Sequence, residues 1–99
     1  MLDKDVATKI VIDCIRFAGK FPGEIKAQNK LESVGIDSEF TIDFLLNQIV
    51  NSRKRGVPSV QYKINANDLT IKTGTKVYEL RDQVSENANP APKKPGGKK

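Results

Sequence analysis

The chain has 99 residues, a net charge of +5 and hydrophobic residues at 37% of its positions, which is enough for one small core. It has no histidine and one cysteine, so the commonest general base and the commonest metal ligand are both missing. We therefore expect neither catalytic machinery nor a bound metal. Cys14 lies in an apolar run and is expected to be a small buried hydrophobe in a reducing compartment.

No apolar run approaches the roughly 20 residues that span a bilayer. Asp3 and Asp5 interrupt the N-terminus early, unlike in a secretion signal. These features predict a cytoplasmic protein with no membrane span.

The positive charge is concentrated in two places. Arg53, Lys54 and Arg55 are consecutive, and residues 85–99 carry a net charge of +3. Residues 85–99 are also rich in Asn, Pro, Gly and Lys, a composition that cannot offset the entropy lost on ordering. We therefore predict a folded domain over residues 1–84 and a disordered basic tail over 85–99.

Helical periodicity predicts a first helix over residues 5–18, capped by Asp3 or Asp5 and ended at Gly19. Its apolar positions are Val6, Ala7, Ile10, Val11, Cys14, Ile15, Phe17 and Ala18. Residues 19–35 form a long loop, pinned to the core by apolar side chains. A loop of this length usually has a function or contains a short helix. The pinning residues are Phe21, Ile25, Leu31 and Val34.

A second helix is predicted over residues 38–52, with a broad apolar face. That face comprises Phe40, Ile42, Phe44, Leu45, Leu46, Ile49 and Val50. Residues 57–74 are predicted to be irregular, with strand-like alternation at Val60, Tyr62 and Ile64 and a turn or one-turn helix at 65–69. A last helix is predicted over 75–84, capped by Thr75. The predicted fold class is all-α.

The order of these elements resembles the acyl carrier protein family over about residues 5–84. The similar stretches are Val34-Gly35-Ile36-Asp37-Ser38, Ile64-Asn65-Ala66-Asn67-Asp68-Leu69 and Thr73-Gly74-Thr75-Lys76-Val77-Tyr78-Glu79-Leu80. The chain departs from the family in having Glu39 instead of leucine after the serine, and in its positive net charge.

The resemblance implies a small monomeric four-helix bundle of the acyl-carrier type. It implies that Ser38, flanked by Asp37, carries a 4′-phosphopantetheine arm added by a phosphopantetheinyl transferase. The thiol of that arm would hold an acyl or aminoacyl group as a thioester and present it to acyl-transferring enzymes of lipid or secondary-metabolite biosynthesis. The protein itself would not be an enzyme.

Two alternatives remain open. Asp37 and Ser38 are also typical of an ordinary helix N-cap. The protein could instead be an unmodified, helix-turn-helix-like binding module in which residues 60–80 form a β-hairpin. Arg53–Arg55 and the Lys-rich tail would then contact nucleic acid or an acidic protein. We rank this second, because the 38–52 helix has no Lys/Arg-rich face.

Overall fold

The computed structural model describes residues 2–51 and 62–90. Three α-helices are present in these ranges: α1 (Lys4–Gly19), α2 (Glu39–Val50) and α3 (Val77–Asn87). Two 3-10 helices, Leu31–Val34 and Ala66–Asp68, lie between them. The strands β1 (Tyr62–Lys63) and β2 (Asn89–Pro90) form a short antiparallel pair.

This part of the chain is mostly helical, which confirms the all-α expectation at that level. The turn or one-turn helix expected at 65–69 is a 3-10 helix at Ala66–Asp68. With three α-helices in the described ranges, the four-helix bundle is not confirmed.

The core forms where α1 packs against both α2 and α3. Fully buried side chains come from all three helices and from the loop before α2. The largest are Ile10, Ile15, Leu31, Ile36, Leu45, Ile49 and Leu80. Cys14 is buried on the inner face of α1, as expected for a small hydrophobe. Phe17 is 44% exposed, so its predicted place in the buried stripe is wrong.

Two glycines fix the chain between α1 and α2. Gly35 has φ of 92°, and a Cβ atom there would lie 2.5 Å from the Gly19 carbonyl oxygen. Lys20 ends α1 in the left-handed conformation, with φ of 51°. The end of α1 and the start of the segment leading into α2 are therefore in direct backbone contact.

The loop before α2 is pinned as predicted. Leu31 and Val34 are buried within a 3-10 helix, and Ile25 is buried before it. The loop also pairs with the segment before α3, since the Leu31 N–H donates to the Thr75 carbonyl and the Val77 N–H donates to the Asn29 carbonyl.

The folded region extends further than we predicted at its C-terminal end. Helix α3 continues to Asn87, and both Ser85 and Ala88 are buried. Residues 89–90 then pair with β1. The predicted disorder of residues 85–90 is therefore wrong, because Ser85 and Ala88 continue the buried face of α3 with small side chains. Residues 91–99 lie outside the described ranges.

Two helix boundaries and one strand pairing also differ from the prediction. Helix α3 starts at Val77 with Lys76 as its N-cap residue, so Thr75 is not the cap. Helix α2 ends at Val50, where the Tyr62 hydroxyl donates to the Ile49 carbonyl. The β-hairpin expected for a helix-turn-helix-like module is not found within 62–80, because β1 pairs with β2 instead. Arg53–Arg55 lie in the undescribed range 52–61.

Candidate functional site at the start of α2

Ser38 is exposed and is the N-cap residue of α2, as predicted. Its Oγ accepts a hydrogen bond from the Thr41 N–H at 3.2 Å. In return, the Ser38 N–H donates to Thr41 Oγ1 at 3.0 Å, which completes a reciprocal capping box. The hydroxyl is thus held at the helix end by one polar neighbour and remains open to solvent.

Thr41 is a part of the site that we did not predict. The two hydroxyl oxygens, Ser38 Oγ and Thr41 Oγ1, lie 3.1 Å apart. The Thr41 hydroxyl also has the Ser38 carbonyl as an acceptor, at 2.9 Å. The usual sequence signature of a capping box has Glu or Gln three residues after the cap, so a threonine there gives a weaker signal.

The segment that carries Ser38 is fixed from the core side. Ile36 is fully buried, and the Ile36 N–H donates to the Leu31 carbonyl at 2.9 Å. Asp37, which the resemblance places beside the attachment point, is exposed. A single residue, Asp37, therefore separates the anchored core position at Ile36 from the exposed helix end at Ser38.

An aromatic side chain next to Ser38 is unusually exposed. Phe40 is 79% exposed, which corrects its predicted place on the buried face of α2. One turn further along α2, Phe44 is half-buried, and its ring centroid lies 5.6 Å from that of Phe17. The buried face of α2 is carried by Leu45 and Ile49 instead.

An open groove of about 450 Å³ begins at the first turn of α2. Ile42 and Ile71 supply its apolar wall, and both are half-buried. Glu39, Asp43, Lys72 and Thr73 supply its polar wall. The side formed by residues 71–73 was not predicted, because that segment reaches α2 only through the tertiary fold.

The arrangement offers a nucleophilic oxygen without machinery to activate it. The polar neighbour of the Ser38 hydroxyl is another hydroxyl, which is not a general base at neutral pH. The first N–H groups of a helix have no intrahelical acceptors, so they can hydrogen-bond an anion attached at this end.

Within residues 2–51 and 62–90, no three metal-ligating side chains cluster closely enough to hold an ion. None of the helices found there has the length and apolar character needed to cross a bilayer. The sequence matches no protein family model and no curated protein, and the fold matches no solved structure.

Proposed function

We propose that the protein is a carrier domain that holds an acyl or aminoacyl group as a thioester on a 4′-phosphopantetheine arm attached to Ser38. The observation that carries this proposal is the exposed Ser38 hydroxyl at the N-terminus of a well-packed helix. A separate transferase would transfer the arm from coenzyme A. Ser38 Oγ would form the bond to the phosphorus of the arm, the phosphorus–oxygen bond of the coenzyme A pyrophosphate would break, adenosine 3′,5′-bisphosphate would leave, and the hydroxyl proton would pass to a base of the transferase or to water. The arm supplies the thiol, and the protein supplies its position.

The surroundings of Ser38 suit an attached phosphodiester in two respects. The side chain is open to solvent, so a transferase can reach it without unfolding α2. The positive end of the helix dipole favours an anion at this position by about 0.3–1 kcal/mol. Its hydrogen-bond donors would be the N–H groups of Glu39 and Phe40, because the Thr41 N–H already donates to Ser38 Oγ.

Two carboxylates oppose that stabilisation. Asp37 and Glu39 flank Ser38 and are both exposed. Unit charges about 4 Å apart in water repel by only about 1 kcal/mol, and salt screens the effect further. The two contributions are similar in size, so we expect modification to change the stability of the folded domain little.

The groove beside α2 offers a binding site for the acyl or aminoacyl group. It starts at Glu39, the residue after Ser38, and its apolar side is formed by Ile42 and Ile71. A groove lined by both apolar and charged groups can accept a short acyl chain as well as an aminoacyl group. It is wide open, so a partner enzyme could withdraw the cargo without a large movement of the helices.

The test is co-expression with a broad-specificity phosphopantetheinyl transferase, followed by intact-mass measurement. We expect the mass of one phosphopantetheine group per chain in the unaltered protein and none in Ser38→Ala. Ser38→Ala should lose only about 1 kcal/mol of stability, the scale of a helix cap, so it remains folded.

Ser33→Ala is the matched control. Ser33 is also exposed, five residues earlier, and its hydroxyl donates to the Lys30 carbonyl. This variant should be modified as fully as the unaltered protein. An unmodified mass with several transferases, or equal loss in both variants, would contradict the proposal.

A further inference from the structure

A pair of lysines faces each other across the two segments that lead into α2 and α3. Lys30 and Lys76 are opposed in an antiparallel bridge. Flanking hydrogen bonds from Leu31 N–H to the Thr75 carbonyl and from Val77 N–H to the Asn29 carbonyl are both 2.9 Å long. In this kind of pair the two side chains leave the same face, with Cβ atoms about 4.5–5.5 Å apart.

Both lysine side chains are on the solvent side of this pairing. Their neighbours Leu31 and Val77 point to the opposite face and are buried. Lys30 is exposed and Lys76 is half-buried. The alternation along the paired segments therefore places two lysine side chains on the same face of the pairing, outside the core.

No carboxylate neutralises this pair in the part of the chain that the structure describes. The ion pairs found there are Lys4 with Asp82 and Arg81 with Asp82. The carboxylate of Glu79, in the first turn of α3, accepts a hydrogen bond from the backbone N–H of Lys76 at 2.8 Å. Like charges directly opposite each other are unfavourable, and neither of these two ion pairs includes Lys30 or Lys76.

An aromatic ring lies beside one of the two lysines, Lys76. The Lys76 Nζ lies 5.9 Å from the ring centroid of Tyr78, and Tyr78 is 36% exposed. Tyrosine is enriched in protein–protein interfaces, where its ring supplies contact area. Lys30, Lys76 and Tyr78 together form what we call the lysine-pair surface.

We propose that the lysine-pair surface docks a protein partner through neighbouring carboxylates on that partner. Phosphate sites usually use converging backbone N–H groups or an arginine fork. Here the N–H groups of Leu31, Glu32, Val77 and Tyr78 are already donated to carbonyls across the pairing. Two adjacent carboxylates would remove the repulsion without needing such groups. This inference does not depend on modification of Ser38.

The test uses the full chain and a fluorescent peptide of eight glutamates as a probe, with binding followed by anisotropy at low ionic strength. Lys30→Gln/Lys76→Gln should weaken binding about threefold to tenfold, the scale of two exposed ion pairs. Lys9→Gln/Lys63→Gln removes the same charge from exposed positions elsewhere and should weaken binding much less. Ser38→Ala should bind the peptide as the unaltered protein does.

Chemical-shift mapping with the same peptide should show its largest changes at residues 27–32 and 73–78. An equal loss of peptide affinity in the two double variants would overturn the proposal, since binding would then depend on net charge alone. Tighter binding of an eight-nucleotide single-stranded DNA that also depends on Lys30 and Lys76 would overturn it in favour of a nucleic-acid partner. Absence of binding would overturn it as well.

Discussion

Leu45 and Leu46 are neighbours on α2 that differ in burial. Leu45 is completely buried and Leu46 only partly. Removing a buried leucine side chain loses transfer free energy and leaves a cavity, so Leu45→Ala should cost about 2–5 kcal/mol. Leu46→Ala should cost less, about 1 kcal/mol, because its side chain is only partly buried and the change leaves no enclosed cavity. Urea denaturation of both variants measures the difference, and equal costs would contradict this orientation of α2.

Gly35 is the residue whose backbone conformation matters most for the placement of Ser38. Gly35→Ala would combine a left-handed φ with a clash against the Gly19 carbonyl, and should cost about 2 kcal/mol or more. Gly74→Ala is the control, since a Cβ there has no atom within 4 Å. It should change stability by less than about 0.5 kcal/mol. Thermal unfolding of both variants decides whether the Gly19–Gly35 contact constrains the loop.

Ser85 joins the two ends of the described fold. Its hydroxyl donates to the Leu2 carbonyl at 2.7 Å, and the Leu2 N–H donates to the Ser85 carbonyl at 2.9 Å. Ser85→Ala leaves the Leu2 carbonyl without this donor in a buried position, so it should cost about 1–3 kcal/mol. Ser33→Ala, at an exposed position, should cost less than about 1 kcal/mol. If chemical denaturation gave similarly small losses of unfolding free energy for Ser85→Ala and Ser33→Ala, the hydrogen bond from Ser85 to Leu2 would contribute little to stability.

At the scale of elements, the end of α3 decides where the chain can be shortened. Deleting residues 86–99 removes the last two residues of α3, the buried Ala88 and the β2 partner of β1. We expect this deletion to lower the melting temperature by several degrees, which reverses the expectation from sequence composition. Deleting only residues 91–99 should leave the melting temperature nearly unchanged. Equal melting temperatures for the two deletions would show that residues 86–90 do not contribute to the fold.

The helices could be predicted to within a few residues, because their apolar spacing and caps are local features. Asp3 and Ser38 mark the starts of α1 and α2 in the structure as they do in the sequence. The end of α3 could not be predicted from composition, because Ser85 and Ala88 bury small side chains among polar neighbours. The β1–β2 pair is a non-local contact, and two-residue strands leave almost no periodic signal.

Some features of the candidate site could also be predicted from local sequence, whereas others depend on the tertiary fold. The exposure and capping role of Ser38 follow from its position before an apolar helix, and the sequence predicted both. The groove wall at Ile71 and Thr73 depends on how the segment before α3 packs, so no spacing along the chain indicates it. Phe40 follows the apolar pattern of α2 but lies outside the buried face. Helical periodicity predicts that α2 has an apolar face, but it does not show which residues at the margin of that face are buried.

At the scale of the whole molecule, the charge is unevenly distributed. Acidic side chains at Asp37, Glu39 and Asp43 surround the start of α2, whereas Lys30 and Lys76 face each other on the paired segments before α2 and α3. A partner that binds both the acidic start of α2 and the lysine-pair surface would need cationic groups near Ser38 and carboxylates near Lys30 and Lys76. The net charge of +5 is a property of the whole chain, and it indicates neither the acidic region at the start of α2 nor the lysine-pair surface.

The most direct test of the central claim is peptide mass spectrometry of the protein purified from its native host. Trypsin should cut after Lys30 and Arg53, which places Ser33, Ser38 and Ser52 in one peptide, residues 31–53. The account predicts that this peptide carries phosphopantetheine and that fragmentation assigns it to Ser38. Finding this peptide entirely unmodified, or the group on Ser33 or Ser52, would contradict the account and leave Ser38 as a helix cap.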